Sequence, residues 1–351
     1  MAAFQTVTPK DGRLRLPPFT VRRQMLSLAE TIDQSLQLFG IPEVWKSTKA
    51  AGARIGVLDT GVDQRHATAG DLKDAIAKAH DFTGSSFGVW DKNGHGSHTA
   101  GTIGARANGA GLIGLGPESK LWIFKVLGDS GSGSNDWIAA ALDMAIAEKL
   151  HAVNLSLGGP EDDPQLHDAV KRAVAAGIYV VCAAGNDGLI PGFMTEGYPA
   201  HYPETMSIGA VDNAGNVADF SSRGDNIAVC APGVNITSLY RSGGYAALSG
   251  TSMATPFVTG TLALMVGYCL QNKLPLPSPA EASKLLRDTA KEFPRPTPNS
   301  GRGILAPSDV VKRPKPAPPE VAPGDVHVGK WGSLDLSLVT HNGKQGIFIA
   351  V

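Results

Sequence analysis

The chain has 351 residues, 42% hydrophobic and 18% charged, with a formal net charge of -1. That apolar content is enough to bury a sizeable core, as one large domain with appendages or as two domains. The near-neutral balance argues against a nucleic acid or an anionic membrane surface as partner.

Residues 1–10 carry no apolar stretch of the kind a secretory signal needs, so none is expected. The three cysteines, Cys182, Cys230 and Cys269, are odd in number and none sits at metal-ligand spacing. A disulfide framework is therefore not expected. Together these features point to the cytoplasm, with secretion as the alternative.

Residues 1–40 are mixed in character and precede the first strong strand. From there, apolar runs at Arg54–Asp59, 121–126, 152–157 and 178–184 read as fully buried strands, and 205–211 and 227–231 as two more. Between them, Ser134 can cap a helix running to about Leu150, with Ile138, Leu142 and Ile146 on one face. Pro164 opens another helix that ends before Gly177. Strands alternating with helices predict an α/β fold, a mostly parallel central sheet with helices on both faces. Ligands of such sheets bind beyond the carboxyl ends of the strands.

The stretch 248–271 has no charged residue and is apolar enough to be either a core helix or a membrane span. Pro256, Gly260, Gly267 and several hydroxyl residues favour the core. Past Val311 the composition changes. Five of the ten residues 314–323 are proline, which predicts an extended linker. Leu334, Leu336 and Leu338 then alternate with polar residues, Asn342-Gly343 reads as a hairpin turn, and 346–351 as its second strand. The expected organisation is an N-terminal extension at 1–30, a main domain at 31–311, a linker at 312–324 and a C-terminal β-hairpin at 325–351.

Three segments concentrate reactive side chains next to glycine. They are Val57-Leu58-Asp59-Thr60-Gly61, Asn93-Gly94-His95-Gly96-Ser97-His98 and Gly250-Thr251-Ser252-Met253-Ala254-Thr255-Pro256. Glycine permits close backbone approach to a substrate. A serine hydroxyl is a weak nucleophile at neutral pH and needs a base, which in turn needs an orienting carboxylate. Ser252, His95 and Asp59 are those three types. Taken singly, each has a structural reading: a strand-end turn for Asp59, structural histidines for His95 and His98, a helix cap for Ser252. Two further motifs lack their required context. Gly109-Ala110-Gly111-Leu112-Ile113-Gly114 precedes a strand instead of following one, and Gly84-Ser85-Ser86-Phe87-Gly88 lies in an irregular stretch.

The Asp, His, Ser chain order and the three segments resemble the subtilase family, over roughly residues 41–311. The resemblance implies a serine endopeptidase acting on polypeptides. It also implies that Asn186, in Val181-Cys182-Ala183-Ala184-Gly185-Asn186, donates to the oxyanion together with the Ser252 backbone N–H. Gly131-Ser132-Gly133 and Ser156-Leu157-Gly158 look like the two edges between which the family pairs an extended substrate. Gly197 matches the floor of the main specificity pocket, implying a deep site for large apolar side chains. Asp187 at its rim would tolerate a basic one.

The chain departs from the family pattern in the longer loop His66-Ala67-Thr68-Ala69-Gly70-Asp71-Leu72, in Ser97 where Thr is usual, and in Phe257 where His is usual. Asp71 and Asn108 stand where the family holds calcium. The nearest branch is the intracellular subtilisins, which often have a cysteine where Cys182 stands and are commonly homodimers. Their short N-terminal extension carries a motif that Leu16-Pro17-Pro18-Phe19 partly matches. That segment is expected to lie across the cleft as an inhibitory strand, with Leu16 or Phe19 filling the pocket above Gly197. The competing readings are an esterase or acyltransferase on the same triad, and an inactive module that holds extended peptides. The strand-pairing edges favour peptides over small esters.

Overall fold

The computed structural model describes residues 14–25, 29–191, 193–295 and 297–312, with the strand backbone of His327–Trp331, Leu334–His341 and Lys344–Ala350. In chain order the strands of the first unit, Met1–Val311, are β1 (Leu14–Arg15), β2 (Thr20–Met25), β3 (Arg54–Asp59), β4 (Ile76–Asp81), β5 (Lys120–Lys125), β6 (Ser132–Gly133), β7 (Ala152–Leu155), β8 (Tyr179–Ala183), β9 (Met206–Val211), β10 (Ile227–Pro232), β11 (Ile236–Tyr240) and β12 (Gly244–Ser249). Seven of these form one sheet in the order β10-β9-β8-β7-β3-β5-β4, and every pairing in it is parallel.

Both faces of this sheet are covered, and the strand sequences show why. In β3, Ile55 and Val57 enter one core and Leu58 the other. In β8, Tyr179 and Val181 face the first core, Val180 and Cys182 the second. Successive side chains point to opposite faces, so a strand buried on both sides reads as one apolar run. The second core is closed by the helices Asn135–Ala147 and Pro164–Ala175. The Ser134 hydroxyl accepts from the Trp137 N–H as expected, a cap worth about 1 kcal/mol. Asp163 caps the second of these helices by accepting from Leu166, ahead of Pro164.

The first core is organised around the helix Thr251–Gln271, which is apolar all round and almost wholly buried. Pro256 lies inside it and has no N–H to give the Ser252 carbonyl. The Ser156 hydroxyl donates to that carbonyl instead, at 2.8 Å. Phe257 replaces a polar residue of the family pattern and is accommodated as core, with its ring 6.5 Å from that of Phe39.

Six strands in this unit were not predicted as strands. β4 is an edge strand with mostly exposed side chains, so it lacks the apolar signal. β11, β12 and β2 form a separate antiparallel sheet, in that order. β1 pairs with β6.

The second unit, Lys312–Val351, contains β13 (His327–Trp331), β14 (Leu334–His341) and β15 (Lys344–Ala350) in one antiparallel sheet. The expected hairpin thus gains a third strand at its N-terminal side. The proline-rich stretch 314–323 and the turn Asn342-Gly343 lie outside the described residues.

Candidate active site

Asp59 ends β3 at the carboxyl edge of the sheet, and His95 opens the helix His95–Gly104. His95 Nδ1 lies 2.9 Å and 3.0 Å from the two Asp59 carboxylate oxygens. The Asp59 carboxylate also accepts from the Thr60 N–H at 2.7 Å. Both side chains are buried. Their geometry fixes the imidazole with Nδ1–H on the carboxylate, leaving Nε2 as the free acceptor. Nε2 is buried and has no hydrogen-bond partner among the described residues.

The turn before His95 is held by Asp91, which sequence reasoning did not single out. Its Oδ1 accepts from the Asn93 and Gly94 N–H groups and from the Thr60 hydroxyl, all at 2.9 Å. Its Oδ2 accepts from the Ser97 N–H at 2.9 Å and the Ser97 hydroxyl at 2.6 Å. Ser97 thus supplies the hydroxyl that the usual Thr would supply. Thr60 in turn accepts from Gly96 N–H, which ties the end of β3 to the start of the histidine helix. The signal was available as an Asp two residues before an Asn-Gly turn. Gly94 has φ +104, and a Cβ there would strike the Tyr240 ring, so both backbone and space demand glycine.

One turn along the same helix, His98 is fully buried, with Nε2 2.9 Å from the Ile236 carbonyl. Burial, with the nearby His95 adding to it, pushes His98 down to about 3. The neutral ring therefore serves as a donor to β11. The unfolded chain takes up a proton near pH 6.5 that the folded chain refuses until about pH 3, so stability rises with pH across that window. By pH 5 this histidine alone should have withdrawn about 2 kcal/mol of stability. We expect a His98→Gln variant, carried in an inactive Ser252→Ala background, to lose about that much less stability between pH 7 and pH 5 on urea unfolding. Equal losses in both proteins would contradict the assignment.

Ser252 sits in the first turn of the long buried helix. Its hydroxyl donates to the Ser156 backbone carbonyl at 3.2 Å, while the Ser156 hydroxyl donates to the Ser252 carbonyl. The two residues are thus locked reciprocally. Asn186 follows β8, and its Oδ1 accepts from both the N–H and the hydroxyl of Thr251, each at 2.9 Å. Those two donors orient the amide so that Nδ2 points into the cleft.

Gly197 donates its N–H to the Ala184 carbonyl, and a Cβ on it would come within 2.9 Å of the Gly159 carbonyl. Tyr198 and Gly159 exchange two backbone hydrogen bonds beside it. Gly197 therefore lies where the loops after β7 and β8 meet. Asp187, next to Asn186, is exposed at the surface, and the desolvation its carboxyl meets raises it above the usual range.

The cleft is filled by the chain's own residues. Leu14 pairs with Gly133 and Arg15 with Ser132. Arg15 and Gly158 exchange two backbone hydrogen bonds of 3.0 Å, and the Leu16 N–H donates to the Gly131 carbonyl at 3.0 Å. Residues 14–16 thus pair with the segments 131–133 and 156–158, with the buried Leu157 between Ser156 and Gly158. Asn186 Nδ2 donates to the Pro18 carbonyl at 2.7 Å. The Phe19 ring lies 5.0 Å from the His95 ring, and Leu16 lies against Gly131. This differs from the expectation that one of them fills the pocket above Gly197. Of residues 16–19, Pro17 is the buried one, and Leu14 is buried ahead of them.

A third cluster surrounds the glycine-rich loop 107–111. Asp71 is buried and accepts from the Leu112 N–H at 2.9 Å. Asn108 Oδ1 accepts from Ala110 N–H, and Glu30, which was not anticipated, accepts from Gly109 N–H at 2.6 Å. Two carboxylates and an amide oxygen therefore face one loop. All are hard oxygen donors of the kind calcium takes. Among the described residues no three His, Cys, Asp or Glu side chains converge as a metal cluster.

The model of the subtilase family matches residues 50–306. The chain belongs to the subtilase family. By membership it is a serine endopeptidase, a hydrolase. Among curated relatives, the "Intracellular serine protease" of Paenibacillus polymyxa is 43% identical over 260 residues, covering 73% of this subtilase and 78% of the relative. The "Major intracellular serine protease" of Bacillus subtilis (strain 168) is 40% identical over 265 residues, covering 74% and 82%. "Subtilisin DY" of Bacillus licheniformis is 40% identical over 263 residues, covering 75% and 92%.

Proposed function

We propose that this subtilase cuts peptide bonds through Ser252, His95, Asp59 and Asn186, and that its residues 14–19 hold it inactive until they are displaced. The observation that carries the reading is the polypeptide already seated in the cleft. It is gripped by both edges, with a main-chain carbonyl on Asn186 Nδ2 and the Asp59–His95 pair alongside.

In this reading His95 Nε2 takes the proton of Ser252 Oγ as the hydroxyl attacks the carbonyl carbon. Asp59 holds the ring and stabilises the imidazolium. Asn186 Nδ2 and the Ser252 N–H receive the oxyanion. His95 then returns the proton to the leaving amine, and water repeats the sequence to release the acyl group. The edges that hold Leu14, Arg15 and Leu16 recognise backbone, which favours proteins over small esters as substrates. Gly197, which puts no side chain at that point, favours large apolar residues, Phe, Leu and Met, before the scissile bond.

Three features support inhibition by the segment. Ser252 and His95 are both at 0% exposure beneath it, out of reach of any other chain. Continuing the strand register from the Arg15–Gly158 pair puts Pro17 opposite Ser156, yet Asn186 grips the carbonyl of Pro18. The two grips are out of step by one residue, so no single carbonyl is set for attack. Pro17 also has no N–H to give Ser156, and the Ser252 hydroxyl spends its proton on that acceptor rather than on His95. The names of the two intracellular relatives support a cytoplasmic site of action. There a latent form would protect neighbouring proteins.

The test is a time course of casein hydrolysis by the full chain and by a chain shortened to begin at Ser27. The full chain should show a lag that shortens with enzyme concentration, and the shortened chain none. A serine-directed phosphonofluoridate should stop both and label Ser252. Equal initial rates would remove the inhibitory role, and label on another residue would remove the triad.

Calcium belongs to the same proposal, held by Asp71, Asn108 and Glu30 at the 107–111 loop, where it would brace the loop that follows the histidine helix. At hundredfold saturation an ion adds about 2.7 kcal/mol, so chelation should lower the thermal midpoint of the Ser252→Ala protein by about 5 °C. An unchanged midpoint would argue against a structural ion.

A further inference from the structure

The grip on the N-terminal segment does not end at the reacting centre. Beyond Phe19 the chain continues as β2, which pairs antiparallel with β12 from Thr20–Ser249 to Met25–Tyr245. β12 lies between β11 and β2, so β2 is all that covers that edge within the sheet. When residues 20–25 leave, β12 presents a row of unpaired backbone N–H and C=O groups.

Three observations fit this edge to a substrate. Its last residue, Ser249, is three positions before Ser252, so the track starts at the reacting serine. With the Pro18 carbonyl on Asn186, Thr20 is the second residue past the carbonyl and Met25 the seventh. The β12 sequence Gly-Tyr-Ala-Ala-Leu-Ser is mostly small, which leaves the pairing to the main chain. The hairpin is also preformed. Ser238 of β11 donates to the His98 carbonyl at 2.8 Å, and the His98 ring bonds Ile236, which anchors the sheet to the helix that carries His95.

We infer that the free edge of β12 is the docking strand for substrate on the far side of the scissile bond, reaching the seventh residue after it. The occupant is an extended, unfolded polypeptide, recognised by backbone pairing with little demand on its sequence. The inference rests on the site assignment above but not on the inhibitory role of the segment. It makes the enzyme a reader of long chains: the stretch before the bond lies between the β6 edge and Gly158, and the stretch after it lies on β12. The pairing carries an irregularity between Ala247 and Leu248, where Arg22 is the extra residue, so the fourth residue after the bond is bulged out of register.

The full-length enzyme, in its steady state after any lag, is given internally quenched peptides identical up to the scissile bond and carrying two, four or seven residues after it. We expect kcat/KM to rise about tenfold or more from two residues to seven, since main-chain pairing supplies affinity in strand addition. A second series methylates one backbone nitrogen at a time from the third residue to the seventh. In an antiparallel pair only alternate residues turn their N–H to the partner, so methylation should be costly at every other position, with the phase broken at the fourth. A kcat/KM that is flat with length overturns the inference. So does a penalty equal at all positions, which would mark a general preference for length. The lag reports on the inhibitory segment alone, so loss of the lag with the alternation intact would refute inhibition and leave the docking strand standing.

Discussion

Replacing Ser252 with alanine should abolish peptide hydrolysis while leaving the fold intact. The hydroxyl is the only nucleophile in the scheme, and its removal should cost of the order of 10⁶-fold in kcat, the size of that loss in a subtilisin. Alanine fits the first turn of a helix without strain. The reciprocal lock loses only the 3.2 Å bond from the Ser252 hydroxyl, because the Ser156 hydroxyl still reaches the Ser252 carbonyl at 2.8 Å. The measurement is turnover of a quenched peptide, with circular dichroism and the thermal midpoint as controls. More than a thousandth of the original rate in clean protein with an unchanged midpoint would sink the assignment.

The second large effect concerns Asn186. Asn186→Leu should lower kcat about 10²- to 10³-fold with little change in KM, a magnitude taken from the corresponding loss in a subtilisin. Here the leucine variant carries a second cost. It also leaves the Thr251 N–H without its acceptor, about 1–3 kcal/mol of stability if no other group fills in. Asn186→Asp separates the two, since it keeps an acceptor for Thr251 and removes the donor from the cleft. Both variants should lose activity, and the aspartate should retain more of the stability. Full kcat in the aspartate variant would show that Asn186 is not an oxyanion donor. Both variants should also hold the N-terminal segment less tightly, because the Pro18 carbonyl loses its partner.

The central sheet could be read from the sequence because its strands are buried on both faces and so are continuously apolar. Ile55, Val57 and Leu58 need no partner information to be recognised. The same logic hid the other strands. β4 places Lys78, His80 and Asp81 on an exposed edge, and β2 carries Arg22 and Arg23 in a strand whose pairing with β12 is long range. β12 is rich in Gly and Ala, which carry little strand signal. At the proposed site, Asp59, His95 and Ser252 stood out because each lies within two residues of a glycine at an element boundary, and Asn186 entered through the family resemblance. Asp91 and Glu30 were missed because their work is hydrogen bonding to backbone: the cue for Asp91 was only its place two residues before Asn93-Gly94, and a Glu in a loop gives no distinguishing pattern. The one-residue mismatch between Pro17 and Pro18 could not be foreseen, because it depends on where two separate grips fall along the chain.

The placement of Ser252 has a consequence for how such an enzyme fails. The serine is mounted on the Thr251–Gln271 helix, whose buried residues make it the innermost element of the larger core. Elements of that kind exchange their amide hydrogens only when the whole domain opens. Heat should therefore not loosen the proposed nucleophile ahead of the rest of the molecule, and inactivation and global unfolding should share one midpoint. The strand that covers the serine is built differently, from short pairings at β1 and β2 on the rim of the fold. Its opening free energy can be far below that of the domain. The cover can come and go many times while the residues beneath it stay assembled, which is the order of events that the proposed latency requires.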